Sequence, residues 1–160
     1  MAWAASVQRA HVYKPGLQPG TDEARVFRRE VLEFVASTLL PKYKDGLAGA
    51  AHYDNIDCLI DFASNRGGKV LDKGGYKYGA AQKLLNLSLK YHWCLGSIPE
   101  PPHCPVDRIV IEKTKFRGRM NWTEIVTRPE YQKVIQAIAA LAKGAGLSIA
   151  RWELENYSRR

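Results

Sequence analysis

Three polar side chains are spaced so that they share one face of the longest helix that the sequence predicts. Lys83, Asn86 and Lys90 stand at positions i, i+3 and i+7, and Gly79 lies one turn earlier on roughly the same stripe. The rest of this segment is largely apolar, and an unpaired ammonium group is costly to bury. The stripe must therefore meet water, a partner group or a ligand. Two interpretations stay open, a solvated strip and the floor of an anion-binding cleft.

Two segments of the chain hold its excess of positive charge. Residues 66–90 contain six basic residues and one acid, and residues 108–119 contain five basic residues and one acid. Such clusters of lysine and arginine are typical of surfaces that bind nucleic-acid phosphates. Aromatic residues are interleaved with them, and these either stack on bases or pack under the loops. We predict that nine residues contact nucleic acid and that one of them, Asn86, reaches a base or sugar edge. The nine are Lys69, Lys73, Lys77, Lys83, Asn86, Lys90, Lys115, Arg117 and Arg119.

The charge of the whole chain points to the same class of partner. A chain of 160 residues with a formal net charge of +8 is expected to bind a polyanion, and nucleic acid is the commonest one. Composition does not separate DNA from RNA. Two alternatives remain open, an acidic protein partner and positive charge that only keeps the protein soluble.

Lys83 and Asp107 carry a local resemblance to a known enzyme family. Gly79 precedes Lys83 by one helical turn, and Pro105-Val106-Asp107 follows later in the chain. Over about residues 74–110 this arrangement resembles the helix-hairpin-helix DNA glycosylases. The resemblance implies a catalytic pair in which Lys83 attacks a sugar carbon and Asp107 assists. The alternative interpretation of Asp107 is an N-cap that follows a proline-rich turn.

Residues 66–77 form a glycine- and lysine-rich loop immediately before the longest helix. Helix N-termini bind anions through their free N–H groups, so the loop is compatible with phosphate binding. The P-loop pattern Gly-x4-Gly-Lys-[Ser/Thr] is absent, and this signal is therefore generic.

The cysteines and histidines do not form a metal-binding pattern. Cys58, Cys94 and Cys104 include no Cys-x2-Cys pair, and no His-Glu-x-x-His occurs, so we predict neither a metal nor a cofactor. Around His103 and Cys104 we expect buried thiols and one satisfied histidine. Three sparse cysteines suit a reducing compartment such as the cytoplasm. No apolar run reaches the ~18–20 residues that span a membrane, so no membrane partner is expected.

The elements that must position these residues are helices. Capping residues followed by apolar residues at helical spacing predict about five helices and no sizeable sheet. The segment from Tyr78 to Leu95 is apolar on most sides, which predicts a buried central helix that Gly96 stops. The fold class is therefore mainly α, with a single compact domain over residues 21–160 and an irregular N-terminal arm over residues 1–20. The other helices are predicted to start at Thr21, Asp54, Thr127 and Ser148, and Asp107 starts a short element that is either helix or strand.

Overall fold

The computed structural model describes residues 2–7 and 9–157, and helices joined by loops make up its regular structure. Seven α-helices occur in these residues, and an isolated bridge between Tyr13 and Leu71 is the one β-pairing among them. The prediction of a mainly α, single compact domain is confirmed. Residues 1, 8 and 158–160, which the predicted arm and domain include, lie outside the described residues. The helices are α1 (Ala2–Val7), α2 (Asp22–Phe34), α3 (Gly49–Arg66), α4 (Tyr78–Cys94), α5 (Arg108–Ile111), α6 (Arg128–Gly144) and α7 (Ile149–Asn156), with a π-helical segment (Val35–Leu39) and 3₁₀ segments (Leu40–Tyr43 and Trp122–Glu124).

Helix α4 is the centre of the fold, as its apolar circumference predicts. Leu84 and Leu85 are fully buried, and α1, α3 and α6 all pack against this helix. The helix ends in a Schellman motif, because Gly96 takes the left-handed conformation (φ +71°) and Ser97 N–H donates to the His92 carbonyl at 2.8 Å. The predicted stop at Gly96 is confirmed.

The first described residues are helical, so the prediction of an irregular arm over residues 1–20 is wrong there. Trp3 is buried in α1, where its ring packs edge-on against Phe27 and nearly parallel to Tyr76. Helix α1 also packs against α4. A helix of 6 residues is too short for periodicity to reveal, and tertiary packing rather than propensity stabilises it. Residues 9–20, which precede α2, are irregular, as predicted.

Three predicted helix starts carry the expected capping hydrogen bonds. The Thr127 hydroxyl accepts from the Glu130 N–H at 3.4 Å, and the Glu130 carboxylate accepts from the Thr127 N–H at 2.9 Å, which completes a capping box for α6. The side chains of Thr21 and Ser148 cap α2 and α7 with one hydrogen bond each. These short-range signals were enough to locate the helices.

The start of α3 differs from the prediction. Asp54 was expected to cap this helix, but the helix begins earlier, at Gly49, so that prediction is wrong. The N-cap is Ala48, whose side chain offers no hydrogen bond, and the sequence therefore carries no capping signal. The Asp54 carboxylate instead pairs with Arg128 of α6 at 2.8 Å. The short element after Asp107 is helical, which settles the choice that periodicity left open.

Among the described residues, no single helix combines the length and the apolar character that crossing a membrane needs. Helices α6 and α7 meet both criteria when they are taken as one span, but a bend of 79° separates them.

Candidate nucleic-acid interface

The first basic segment and the residues that follow the second one come together at the first turn of α4. Residues 66–77 lead directly into this turn. The segment Trp122–Glu124, which follows residues 112–121, packs against α4. The Gly79 N–H donates to the Ile125 carbonyl at 2.8 Å, and a Cβ atom on Gly79 would collide with the Trp122 carbonyl oxygen. Gly79 therefore allows two backbones to approach closely, and it is buried rather than part of an exposed stripe.

The loop of residues 66–77 is held in place by the segment that precedes α2. Two backbone hydrogen bonds of 2.9 and 3.0 Å join residues 12–14 to residues 70–72. The Lys14 ammonium group also donates to the Gly68 carbonyl at 2.8 Å. The loop backbone is thus anchored while its lysines reach the surface. Three of the predicted phosphate contacts lie on it, two exposed and the last half-buried: Lys69, Lys73 and Lys77.

The second basic loop, residues 112–121, is organised by a buried threonine. The Thr114 hydroxyl donates to the Ile111 carbonyl at 2.8 Å and accepts from the Phe116 N–H at 3.1 Å. Gly118 takes the left-handed conformation (φ +67°), which residues with a side chain rarely adopt. The three predicted phosphate contacts of this loop are all exposed: Lys115, Arg117 and Arg119.

These loop cations have no acidic partners within the part of the chain that the structure describes. Elsewhere ion pairs form readily, as where Arg128 pairs with Asp54 and Asp57 at 2.8 and 2.9 Å. Exposed cations without such partners create a positive potential that a polyanion can neutralise. The six that lack a carboxylate within ion-pair distance are Lys69, Lys73, Lys77, Lys115, Arg117 and Arg119.

Lys83 adjoins the second loop. Its Nζ atom lies 4.0 Å from the ring centre of Trp122, a cation–π contact with an aromatic ring that is itself buried. The lysine side chain is half-exposed. Since Trp122 directly follows residues 112–121, Lys83 adds its charge to the edge of that loop, and it stays a predicted phosphate contact.

Asn86 lies in the core, so the prediction that it reaches a base or sugar edge is wrong. Its side chain is 0% exposed. The side-chain amide of Asn86 donates to the Gln82 side chain at 3.2 Å and to the Tyr131 hydroxyl at 3.0 Å. Residues at helical spacing share a face, but spacing does not say whether that face points to solvent or to a neighbouring helix. Here it points towards α6, which carries Tyr131.

Lys90 is paired inside the protein. Its ammonium group lies 2.6 Å from the Glu153 carboxylate, and the two side chains are 17% and 2% exposed. Tyr157 adds a ring 5.2 Å from the same ammonium group. Burial raises the pKa of Glu153, and the Lys90 hydrogen bond opposes this rise. The prediction that Lys90 contacts phosphate is wrong, because leaving this pair would strand a buried carboxylate.

Asp107 caps α5. One of its carboxylate oxygens accepts from a backbone N–H of α5 at 3.1 Å, and the other accepts from the Tyr157 hydroxyl at 3.3 Å. The N-cap interpretation is confirmed. The adjoining Val106 exchanges two hydrogen bonds of 2.7 and 3.1 Å with the Gln82 side chain, which fastens this segment beside α4. The structure therefore brings Asp107 towards the helix that carries Lys83, in a position with structural partners of its own.

A buried polar cluster was not recognised from the sequence. The Tyr131 hydroxyl, which Asn86 contacts, also lies 3.2 Å from His103 Nδ1, and the His52 ring packs edge-on against the His103 ring at 4.6 Å. The Tyr43 hydroxyl lies 2.7 Å from His52 Nδ1. Burial lowers the pKa of His103 to about 4, and it holds the pKa of His52 well below its usual value. One signal of this cluster was available in the sequence: His52 occupies a position of α3 that apolar residues usually occupy.

The expectation of one satisfied histidine and buried thiols is confirmed only in part. His103 and Cys104 are buried, whereas Cys58 and Cys94 are exposed. Over residues 2–7 and 9–157, no three His, Cys, Asp or Glu side chains converge so that they could hold a metal ion.

No protein-family model matches the chain, and neither a curated protein nor a solved structure matches it.

Proposed function

We propose that this protein binds nucleic acid through a basic surface formed by residues 66–77, Lys83 and residues 112–121. The observation that supports the proposal is the set of six cations that have no acidic partner among the described residues, on two loops that both adjoin the first turn of α4. Hydrogen bonds hold both loop backbones, so a bound strand would not have to order them. Association on a preorganised backbone avoids part of the entropic cost of binding.

Contact with phosphate, rather than stacking on bases, is the mode of binding that this surface favours. Tyr76, Tyr78 and Trp122 are buried, and of the four aromatic residues interleaved with the cations only Phe116 is partly exposed. Lysine and arginine contacts to phosphate position a nucleic acid without reading its sequence. We therefore expect affinity that depends strongly on salt and weakly on base sequence.

Fluorescence anisotropy across a salt series tests this proposal with labelled single-stranded DNA, duplex DNA, abasic duplex DNA and RNA. The logarithm of the binding constant should fall linearly with the logarithm of the salt concentration. The variant Lys69→Gln/Lys115→Gln/Arg117→Gln removes three exposed cations of the basic surface. Each lost phosphate contact reduces the slope by about 0.7–0.9, so this variant should reduce it by about 2–3.

A matched control separates the basic surface from net charge. The variant Lys44→Gln/Lys133→Gln/Lys143→Gln removes the same charge from exposed positions outside that surface, and its slope should stay close to that of the wild type. Equal losses in both variants would mean that binding follows net charge alone. Absence of binding to all four nucleic acids would contradict the proposal and would make an acidic protein the partner to look for.

A lysine-dependent DNA glycosylase or lyase is the second function that we propose for testing. It is supported by the position of Asp107, which caps a helix fastened beside α4, the helix that carries Lys83. Borohydride treatment of a mixture with abasic duplex DNA should then trap a covalent adduct with the wild type and none with Lys83→Gln. If the wild type binds this DNA but borohydride traps no covalent adduct, attack by Lys83 is ruled out.

A further inference from the structure

We propose that a crevice between the N-terminal segment and the loop of residues 66–77 binds a phosphate monoester at the end of a nucleic-acid strand. The inference rests on the proposed function, because nucleic acid is taken as the source of this phosphate. The crevice has a volume of about 280 Å³. Ligand sites in proteins usually occupy about 300–1,000 Å³, so this crevice lies just below that range and suits a small group such as a terminal phosphate.

Two lysines line the crevice. The Lys14 ammonium group is fixed at the wall by its 2.8 Å hydrogen bond to the Gly68 carbonyl, and Lys73 lies on the opposite stretch of the loop. An ammonium group has three donors, so Lys14 keeps two for a ligand. The Ser64 hydroxyl also faces this space and makes no hydrogen bond within the described part of the chain. A small anion would therefore meet two charged donors and one neutral donor.

The loop backbone adds further donors. Gly68, Lys69, Lys73 and Gly74 have peptide N–H groups that donate no hydrogen bond to any of the described residues. Unpaired N–H groups in loops of this kind form concave sites that bind anions. Gly68 and Lys73 are themselves among the residues that line the crevice.

Two glycines shape the loop at the wall of the crevice. A Cβ atom on Gly67 would collide with the Leu71 side chain, which forms part of the wall. Gly67 therefore allows the loop to pack closely after the end of α3. Gly75 takes the left-handed conformation (φ +66°), which residues with a side chain rarely adopt.

A strand end fits the charge of this crevice better than the middle of a strand. The N-terminal segment is hydrogen-bonded along the loop and contributes Lys14 to the wall. A terminal monoester carries a charge of about −1.5 to −2, more than the single charge of a diester, and the two lysines complement it. The Asp72 carboxylate, also on the wall, is an acceptor suited to a sugar hydroxyl.

Internally labelled oligonucleotides that end in a 5′-phosphate, a 3′-phosphate or hydroxyl groups alone test this inference by anisotropy. One phosphorylated end should bind about tenfold more tightly than the hydroxyl strand, since charge-assisted hydrogen bonds of this kind are strong. Lys14→Gln/Lys73→Gln should abolish that ratio, because it removes both ammonium groups of the crevice. Arg117→Gln/Arg119→Gln is the matched control, which should weaken all three strands equally and preserve the ratio.

Amide chemical shifts of the ¹⁵N-labelled protein provide a second readout. Adenosine 5′-monophosphate should shift the Gly68 and Lys73 amides, and adenosine should not. Equal affinity for the three strands together with unshifted amides would overturn the inference and leave the proposed function standing. If no strand binds, the proposed function fails, and shifts with the mononucleotide alone would identify a free nucleotide as the source of the phosphate.

Discussion

Among single residues, the ion pair between Lys90 and Glu153 is the contact whose loss should cost most. Lys90→Met leaves the Glu153 carboxylate, which is 2% exposed, without its cation. Breaking a buried pair costs about 3–5 kcal/mol. Burial already raises the pKa of Glu153, so this group can relieve the charge by taking up a proton. We expect the free energy of unfolding to fall by about 3 kcal/mol, measured by urea unfolding followed by tryptophan fluorescence.

The partner variants separate an unpaired charge from lost packing. Lys90→Met/Glu153→Gln contains no buried charge and should recover part of the lost stability. Lys143→Met removes an exposed lysine and should change stability by less than about 0.5 kcal/mol. If Lys90→Met were no less stable than Lys143→Met, the pair would have no structural role and Lys90 would again be a candidate contact for phosphate.

At the scale of elements, the packing of residues 122–125 on the first turn of α4 depends on Gly79. Alanine in place of glycine usually stabilises a helix by up to about 1 kcal/mol. At Gly79 the added Cβ atom would collide with the Trp122 carbonyl oxygen, which belongs to a backbone and cannot move aside alone. Overpacking of this kind costs about 1–3 kcal/mol, so Gly79→Ala should lower the free energy of unfolding by about that amount.

Gly144→Ala is the control for this substitution, because Gly144 also lies in a helix and a Cβ atom there would meet nothing within 4 Å. It should be neutral or slightly stabilising in the same urea unfolding experiment. Tryptophan fluorescence of the folded variant is a second readout. Displacement of Trp122 would disturb its contact with Lys83, next to the second basic loop, and would quench or shift this fluorescence. Equal stability of the two variants would show that the 122–125 segment is not tightly packed on α4.

The elements could be predicted from the sequence to the extent that short-range chemistry encodes them. Capping side chains located α2, α6 and α7, and an apolar circumference identified α4 as central. Helix α1 was missed because its stability comes from the packing of Trp3 on distant residues. The candidate site was predicted less well for the same reason. Asn86 and Lys90 find their partners in Tyr131 and Glu153, which lie 45 and 63 residues away.

On the scale of the whole molecule, charge is divided between two environments. Six cations of the basic loops have no acidic partner among the described residues, whereas the core holds His52 and His103 as neutral groups and Glu153 as the partner of Lys90. The proposed phosphate contacts are therefore residues that contribute little to folding. Substitutions in the basic surface should change affinity with little loss of stability, and substitutions in the polar cluster should do the reverse.

Acid should destabilise the whole fold through His52 and His103. Burial lowers the pKa of His103 to about 4 and that of His52 well below its usual value, so both are neutral in the folded protein. Unfolded histidines have a pKa of about 6.5, so below that pH the unfolded chain binds protons that the folded protein does not. Stability is complete above about pH 6.5 and falls towards pH 4, by up to about 1.4 kcal/mol per pH unit for each histidine. Glu153 opposes part of this fall, because its raised pKa makes the folded state bind a proton first.

Urea unfolding between about pH 7 and pH 5 measures this slope. His103→Gln retains a side chain that can hydrogen-bond Tyr131 but cannot take up a proton in the unfolded chain. It should therefore flatten the dependence by up to about 1.4 kcal/mol per pH unit. His11→Gln, at an exposed position, controls for the loss of a histidine itself. If His103→Gln kept the wild-type slope, the acid sensitivity would arise outside the His52–His103 cluster. Other groups would then have to be tested for uptake of the protons.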